Sequence, residues 1–198
     1  MDDVHHRWPL PELPELREQL LAAWTSPDRG YHDLTHLLEV LDHLDLLAGG
    51  APEDLEVLRL AAWFHDAVYE GLRDDEERSA RWALEALADV GVGEEVARLV
   101  RLTATHQPEP DDRLGALLCD ADLAILASGP ERYADYVAGV RREYAHLDDA
   151  TFAAGRTAVL ESLADGELFH TEAGRARWEA AARANLTAEL ASLRTSTS

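Results

Sequence analysis

The 198-residue chain sets 39 acidic residues against 18 basic ones, a formal net charge of −21, with 46% hydrophobic residues and one cysteine, Cys119. That hydrophobic fraction supports a full core, while one cysteine excludes an internal disulfide and any cysteine-rich zinc module. So acidic a surface repels phosphate backbones and anionic lipid, which sets nucleic acid and membranes aside and leaves a small anionic substrate as partner, provided a metal or arginine cluster offsets the field.

Every basic residue is an arginine. Without lysine there is no Schiff-base chemistry and no Walker-type phosphate loop, and neither a GxGxxG turn after a strand nor a GxSxG elbow occurs. The opening MDDVHHRWPL holds no apolar run resembling a signal peptide. No later segment nears the ~20 apolar residues a bilayer requires. A cytoplasmic protein is expected.

Alternating runs of Val, Ile and Thr are missing, whereas Ala, Leu, Glu and Arg dominate, so the elements are predicted to be helices throughout. They fall at 11–24, 33–48, 53–70, 75–90, 93–105, 112–127, 130–145, 149–164 and 171–193. Turn chemistry separates them: Ser26 to Gly30, Gly49-Gly50 before Pro52, Gly91-Val92-Gly93, Pro108 to Pro110, and Gly129-Pro130. The first few residues and the polar tail from Arg194 are expected to fray.

Three helical segments carry misplaced polarity. In YHDLTHLLEVLDHLDLL, residues 31–47, Leu34, Leu37, Leu38, Leu41 and Leu44 form a core stripe. His32, His36 and His43 fall opposite it, together with Val40 and Leu47, so that side should meet a second packed layer; His43, between Asp42 and Asp45, is expected to be solvated. VLRLAAWFHDAVY, residues 57–69, is apolar almost throughout, yet holds His65 and Asp66 side by side. An ionised carboxylate there is costly unless an arginine or a metal compensates it. LGALLCDADLAILA, residues 114–127, is apolar except for Asp120 and Asp122. These two point about 200° apart on a helix, so one should face inward and the other elsewhere. One divalent cation would account for all three anomalies. Imidazoles with carboxylates suit Mn, Fe, Co, Ni, Zn or Mg, any of which lowers the pKa of bound water and polarises a phosphoryl oxygen.

A helix opening on His, an apolar helix ending in His-Asp 29 residues later, and then an Asp in DADL resemble the HD superfamily of metal-dependent phosphohydrolases. More narrowly, RGYHDLTH, FHDAVYE, DDEERSA and ARANL are similar to a bacterial group of predicted HD phosphohydrolases, with Asp75 standing where that group usually has Asn. The resemblance implies an all-α fold, a single HD-type helical bundle with C-terminal helices. It divides the chain into an N-terminal extension (1–23), a metal-binding core (24–128), C-terminal helices packed on it (129–194) and a disordered tail (195–198). It implies His36, His65, Asp66 and Asp122 as metal ligands, with Asp120 open as the alternative to Asp122.

Around that set, Asp66, Glu76 and Glu77 are candidate catalytic residues, since a Glu just after the His-Asp helix could order or deprotonate the attacking water. As acidic residues opening a helix, Glu76 and Glu77 equally suit its dipole. Arg29, His32 and His106 are candidate substrate-binding residues. Arg141, Arg142 and Arg156 read as surface residues, although Arg156 stands in an apolar helix. The implied activity is hydrolysis of a small phosphoester, of a nucleotide or another phosphorylated metabolite, by metal-activated water. A di-iron oxygenase using His32 and His106 as further ligands, and a non-catalytic nucleotide-binding module, are the alternatives. A homodimer through the C-terminal helices is compatible with the sequence.

Overall fold

The computed structural model describes residues 2–47 and 52–196. Among these residues the chain is all-helical, with no strand: α1 (Asp2–His6), α2 (Pro14–Trp24), α3 (Leu34–Leu47), α4 (Pro52–Phe64), α5 (Asp75–Ala86), α6 (Gly93–Leu102), α7 (Arg113–Leu123), a 3-10 turn (Ala124–Ala127), α8 (Pro130–Glu143), α9 (Asp149–Asp165) and α10 (Glu172–Ser196). None is long and apolar enough to cross a membrane. The expected turn at Gly49-Gly50 and the last two residues of the expected tail lie outside the described residues.

Two departures from the sequence-based expectation bear on packing. The N-terminal residues do not fray: Val4 and Trp8 are buried, and the Trp8 indole meets Trp63 edge-on at 5.1 Å. At the other end α10 continues through Arg194 to Ser196.

The first core gathers α1 to α7. Its centre is α4, where Leu58 and Leu60 to Phe64 are fully buried, as expected of a helix apolar around its circumference. Helix α3 is buried on two faces: Leu37, Leu41 and Leu44 on one, His36 and Val40 on the other. The expected second layer is therefore real, and it includes His43. That residue is not solvated: its Nδ1 lies 3.1 Å from the Ala121 carbonyl, and its ring meets Trp178 of α10 edge-on at 5.2 Å.

A second core is built from the 3-10 turn and α8 to α10, with Leu126, Leu160, Phe169 and Leu186 at its heart. Asn185 ties α10 to the turn by donating to the carbonyls of Leu126 (2.8 Å) and Ser128 (3.0 Å). Arg156 is buried here rather than exposed. Its guanidinium donates to Glu189 (2.8 Å) and to the Tyr136 hydroxyl (2.8 Å), and Tyr133 completes the network by donating to Glu189 (2.6 Å). A charge at this depth persists because the guanidinium has a carboxylate partner and further hydrogen bonds.

The two cores meet where α8 crosses the turn before α3. A Cβ on Gly30 would lie 2.2 Å from the Gly139 carbonyl oxygen, so the crossing requires glycine. One helical turn further on, the Glu143 carboxylate accepts hydrogen bonds from the main-chain N–H groups of Gly30 (2.9 Å), Tyr31 (2.7 Å) and His32 (2.9 Å). The C-terminal helices thus shape the turn that feeds the first histidine into the bundle.

Candidate metal centre

Helix α4 stops at Phe64, six residues short of its predicted end, and His65 and Asp66 lie in the turn that follows. The difference matters. Adjacent residues on a helix diverge by about 100°, whereas leaving the helix lets both side chains reach one point. His65 keeps a helical main-chain bond to Ala61 (2.9 Å), and its Nδ1–H donates to the Ala62 carbonyl (2.8 Å). That bond directs Nε2 into the centre.

His36 arrives from the first turn of α3. Its Nδ1 is 2.9 Å from the Tyr31 hydroxyl, and its Nε2 lies 3.1 Å from Nε2 of His65. Asp66 Oδ2 sits 3.2 Å from His65 Nε2 and 3.6 Å from His36 Nε2. From α7, Asp122 Oδ1 is 3.1 Å from His36 Nε2 and 3.5 Å from His65 Nε2. Ligand atoms of His36, His65 and Asp66 all fall within 4.8 Å of one another, and both histidines are buried. Two imidazole nitrogens facing each other across 3.1 Å, flanked by carboxylates, form a donor set that fits one divalent cation.

Electrostatics within the set follow from burial and opposite charge. His36 is pulled below its ordinary pKa by burial, which outweighs the hydrogen bond to Asp122. Burial would do the same to His65, but the charges of Asp66 and Asp122 raise it well above. Both carboxylates are driven below their usual range: burial opposes ionisation, and the neighbouring histidines overcome it. The centre is thus a negative site whose attraction for positive charge is already expressed in the His65 imidazole.

The two aspartates of DADL face different ways. Asp122 faces the histidines. Asp120, fully buried, instead binds the start of α10, accepting from the main-chain N–H groups of His170 (2.6 Å) and Thr171 (2.9 Å) and from the Thr171 hydroxyl (2.6 Å).

The remaining candidates separate by what they touch. His106 lies beside the set, its Nε2 2.7 Å from Asp122 Oδ2, in a left-handed conformation with φ of 51°. It orients Asp122, and its own carbonyl accepts from His170 (3.0 Å). His32 stacks on Tyr69 at 4.0 Å, with Nδ1 2.9 Å from Glu143. Arg29 donates to the carbonyls of His32 (2.6 Å) and Ala67 (3.1 Å) and so braces the two histidine-bearing turns. Glu76 is half-buried and its carboxyl is raised by burial and then by the charges of Asp66 and Asp75, a suitable state for a group that takes and returns a proton. Glu77 is set apart from a catalytic role: it bridges Arg81 (2.9 Å) and Arg101 (2.6 Å) on the surface, which hold it down at about 2.

Two residues of DDEERSA gain a structural reason. Asp75 accepts from the N–H groups of Glu70 (2.8 Å) and Leu72 (2.9 Å), and the Ser79 hydroxyl accepts from Val68 (3.0 Å). The motif therefore pins the segment that leaves His65-Asp66. An asparagine at Asp75 would offer the same acceptor oxygen. Tyr31 and Glu143 belong to the site without having been expected from the sequence. Tyr31 stands inside RGYHDLTH, beside two of the candidate residues, whereas Glu143 leaves no local trace.

Fold and site together define a helical bundle whose first core closes around a buried histidine–aspartate set that could hold a divalent cation. Residues 33–124 match the HD domain family, so this part of the chain, which carries His36, His65, Asp66 and Asp122, is similar to HD domains. No curated protein and no solved structure matches the chain.

Proposed function

We propose that the protein is a metal-dependent hydrolase of a small phosphoester, with His36, His65, Asp66 and Asp122 holding the ion. The observation that carries this reading is the convergence of the four side chains from α3, the end of α4 and α7, with Asp122 and His106 on the wall of a cleft of about 730 Å³. A divalent ion bound there would acidify water and neutralise charge on a phosphoryl oxygen. The protein's own part is to position and to manage protons. His106 fixes Asp122, Tyr31 and Ala62 set the imidazole orientations, and Glu76 is the nearby carboxyl whose burial favours receiving a proton from the attacking water.

The di-iron alternative is less well supported. His106 is engaged by Asp122, His32 by Glu143, and one metal-competent cluster occurs among the described residues. The experiment is metal analysis by mass spectrometry together with phosphate release. Wild type is expected to hold one divalent ion per chain, and His65→Ala or Asp66→Ala to lose both ion and turnover. Turnover retained in an ion-free variant would overturn the reading.

A further inference from the structure

The cleft that opens from the centre is far larger than a phosphoryl group needs. It runs from His32, His106 and Asp122 along the end of α6 and the 3-10 turn to α8 and α9, with a volume of about 730 Å³. Its body is apolar: Ile125 and Leu126 from the turn, Val140 from α8, and Phe152, Val159 and Leu163 from α9. Val159 is 52% exposed, one of three large hydrophobic side chains so exposed among the described residues, and it stands on this wall.

Several polar groups along the wall are already paired within the protein. Thr103 donates to the Val100 carbonyl (2.8 Å), and Tyr31 pairs with His36 (2.9 Å). The Arg156 guanidinium is held by Glu189 (2.8 Å) and Tyr136 (2.8 Å). A ribose or a base edge placed against the apolar body of this wall would give up hydrogen bonds to water for few partners. The guanidinium on this wall is that of Arg156, and Glu189 already pairs with it, so a polyphosphate gains little there. An apolar group gains from the same surface, because covering exposed Val159 and its neighbours removes apolar area from water.

We infer that the cleft is the subsite for the alcohol half of the substrate, and that this half is apolar: the substrate is a phosphate monoester of an alkyl or similarly hydrophobic alcohol. The assignment of the phosphoryl end rests on the hydrolase reading above. In the reaction the oxygen of water bonds to phosphorus, the bond from phosphorus to the alcohol oxygen breaks, and the departing alkoxide takes a proton, leaving alcohol and inorganic phosphate.

Binding tests the subsite separately from turnover. Titration calorimetry with n-alkylphosphonates from ethyl to decyl, below micelle-forming concentrations and with and without added manganese, is expected to show affinity rising about two- to fourfold per methylene. Adenosine monophosphate is expected to bind more weakly than the decyl compound. Gly155 of α9 lines the cleft, and a Cβ placed there would meet nothing within 4 Å, so Gly155→Leu projects into open space and suits a helix. It should lower the decyl-to-ethyl affinity ratio at least tenfold. A flat series, an unchanged ratio in Gly155→Leu, or tighter binding of adenosine monophosphate overturns the inference. Phosphate release from the matching alkyl phosphates is followed in parallel. Chain-length-dependent binding without release would remove the hydrolase reading and leave the subsite; release from adenosine monophosphate with a flat series would do the reverse.

Discussion

Asp120 and Asp122 are two residues apart on one helix and have unrelated work. Removing the Asp122 side chain takes away an oxygen 3.1 Å from His36 and should abolish bound metal while leaving the protein folded, measured by mass spectrometry beside circular dichroism. Asp120→Ala is expected to do the opposite. It strands two main-chain N–H groups and the Thr171 hydroxyl at the start of α10, and should lower stability by about 2–4 kcal/mol in urea unfolding, with metal retained. Loss of metal in Asp120→Ala and not in Asp122→Ala would exchange their roles. Glu143 adds a pH-dependent contribution. Burial alone would raise its pKa, but the His32 ring and the N–H groups of His32 and Tyr31 hold it below the ordinary 4.5. Because the folded value is the lower one, its stabilisation is complete above 4.5 and is lost as pH falls through the folded value. Glu143→Ala should therefore be less stable than wild type by about 2–4 kcal/mol near neutral pH, and that gap should narrow as the carboxylate protonates in acid, as read by urea midpoints at several pH values.

Among the elements, the crossing of α8 over the turn at Gly30 has the least tolerance. Gly30→Ala would place a methyl 2.2 Å from the Gly139 carbonyl, and neither main chain can yield without moving Glu143 from its three N–H donors. Overpacking of this kind costs about 1–3 kcal/mol. We expect Gly30→Ala to lower both thermal stability and metal affinity, since the same turn presents Tyr31 to His36; an unchanged melting temperature would contradict that account. The helices themselves were legible from turn residues and composition, and so was the buried character of α4. The end of α4 was not. VLRLAAWFHDAVY is apolar past residue 65, and nothing in its periodicity reveals that Asp75, Ser79 and Arg29 will capture the main-chain groups of residues 67–72 and draw them out of the helix.

Over the whole molecule, the buried pair Arg156–Glu189 links α9 to α10 and closes the second core. Breaking a buried pair leaves an uncompensated charge, at a cost of about 3–5 kcal/mol, whereas replacing both partners by apolar residues of similar size is often close to neutral. Arg156→Met alone should thus be markedly less stable than Arg156→Met with Glu189→Leu, compared by chemical denaturation. Equal losses would mean that Tyr133 already satisfies the lone carboxylate.

By itself the sequence determined the helical class, the acidic, lysine-free composition, and three segments in which polar residues stand where apolar ones belong. These are properties of composition and period, which act locally. The tertiary structure alone decided which aspartate faces the histidines, that His65 and Asp66 lie beyond their helix, that Glu77 is a surface ion pair, and that Glu143, more than a hundred residues away, holds the turn of His32. Each of those outcomes depends on which helices cross and how closely. Helix crossing is set by the packing of side chains distant in sequence, and no local pattern carries it.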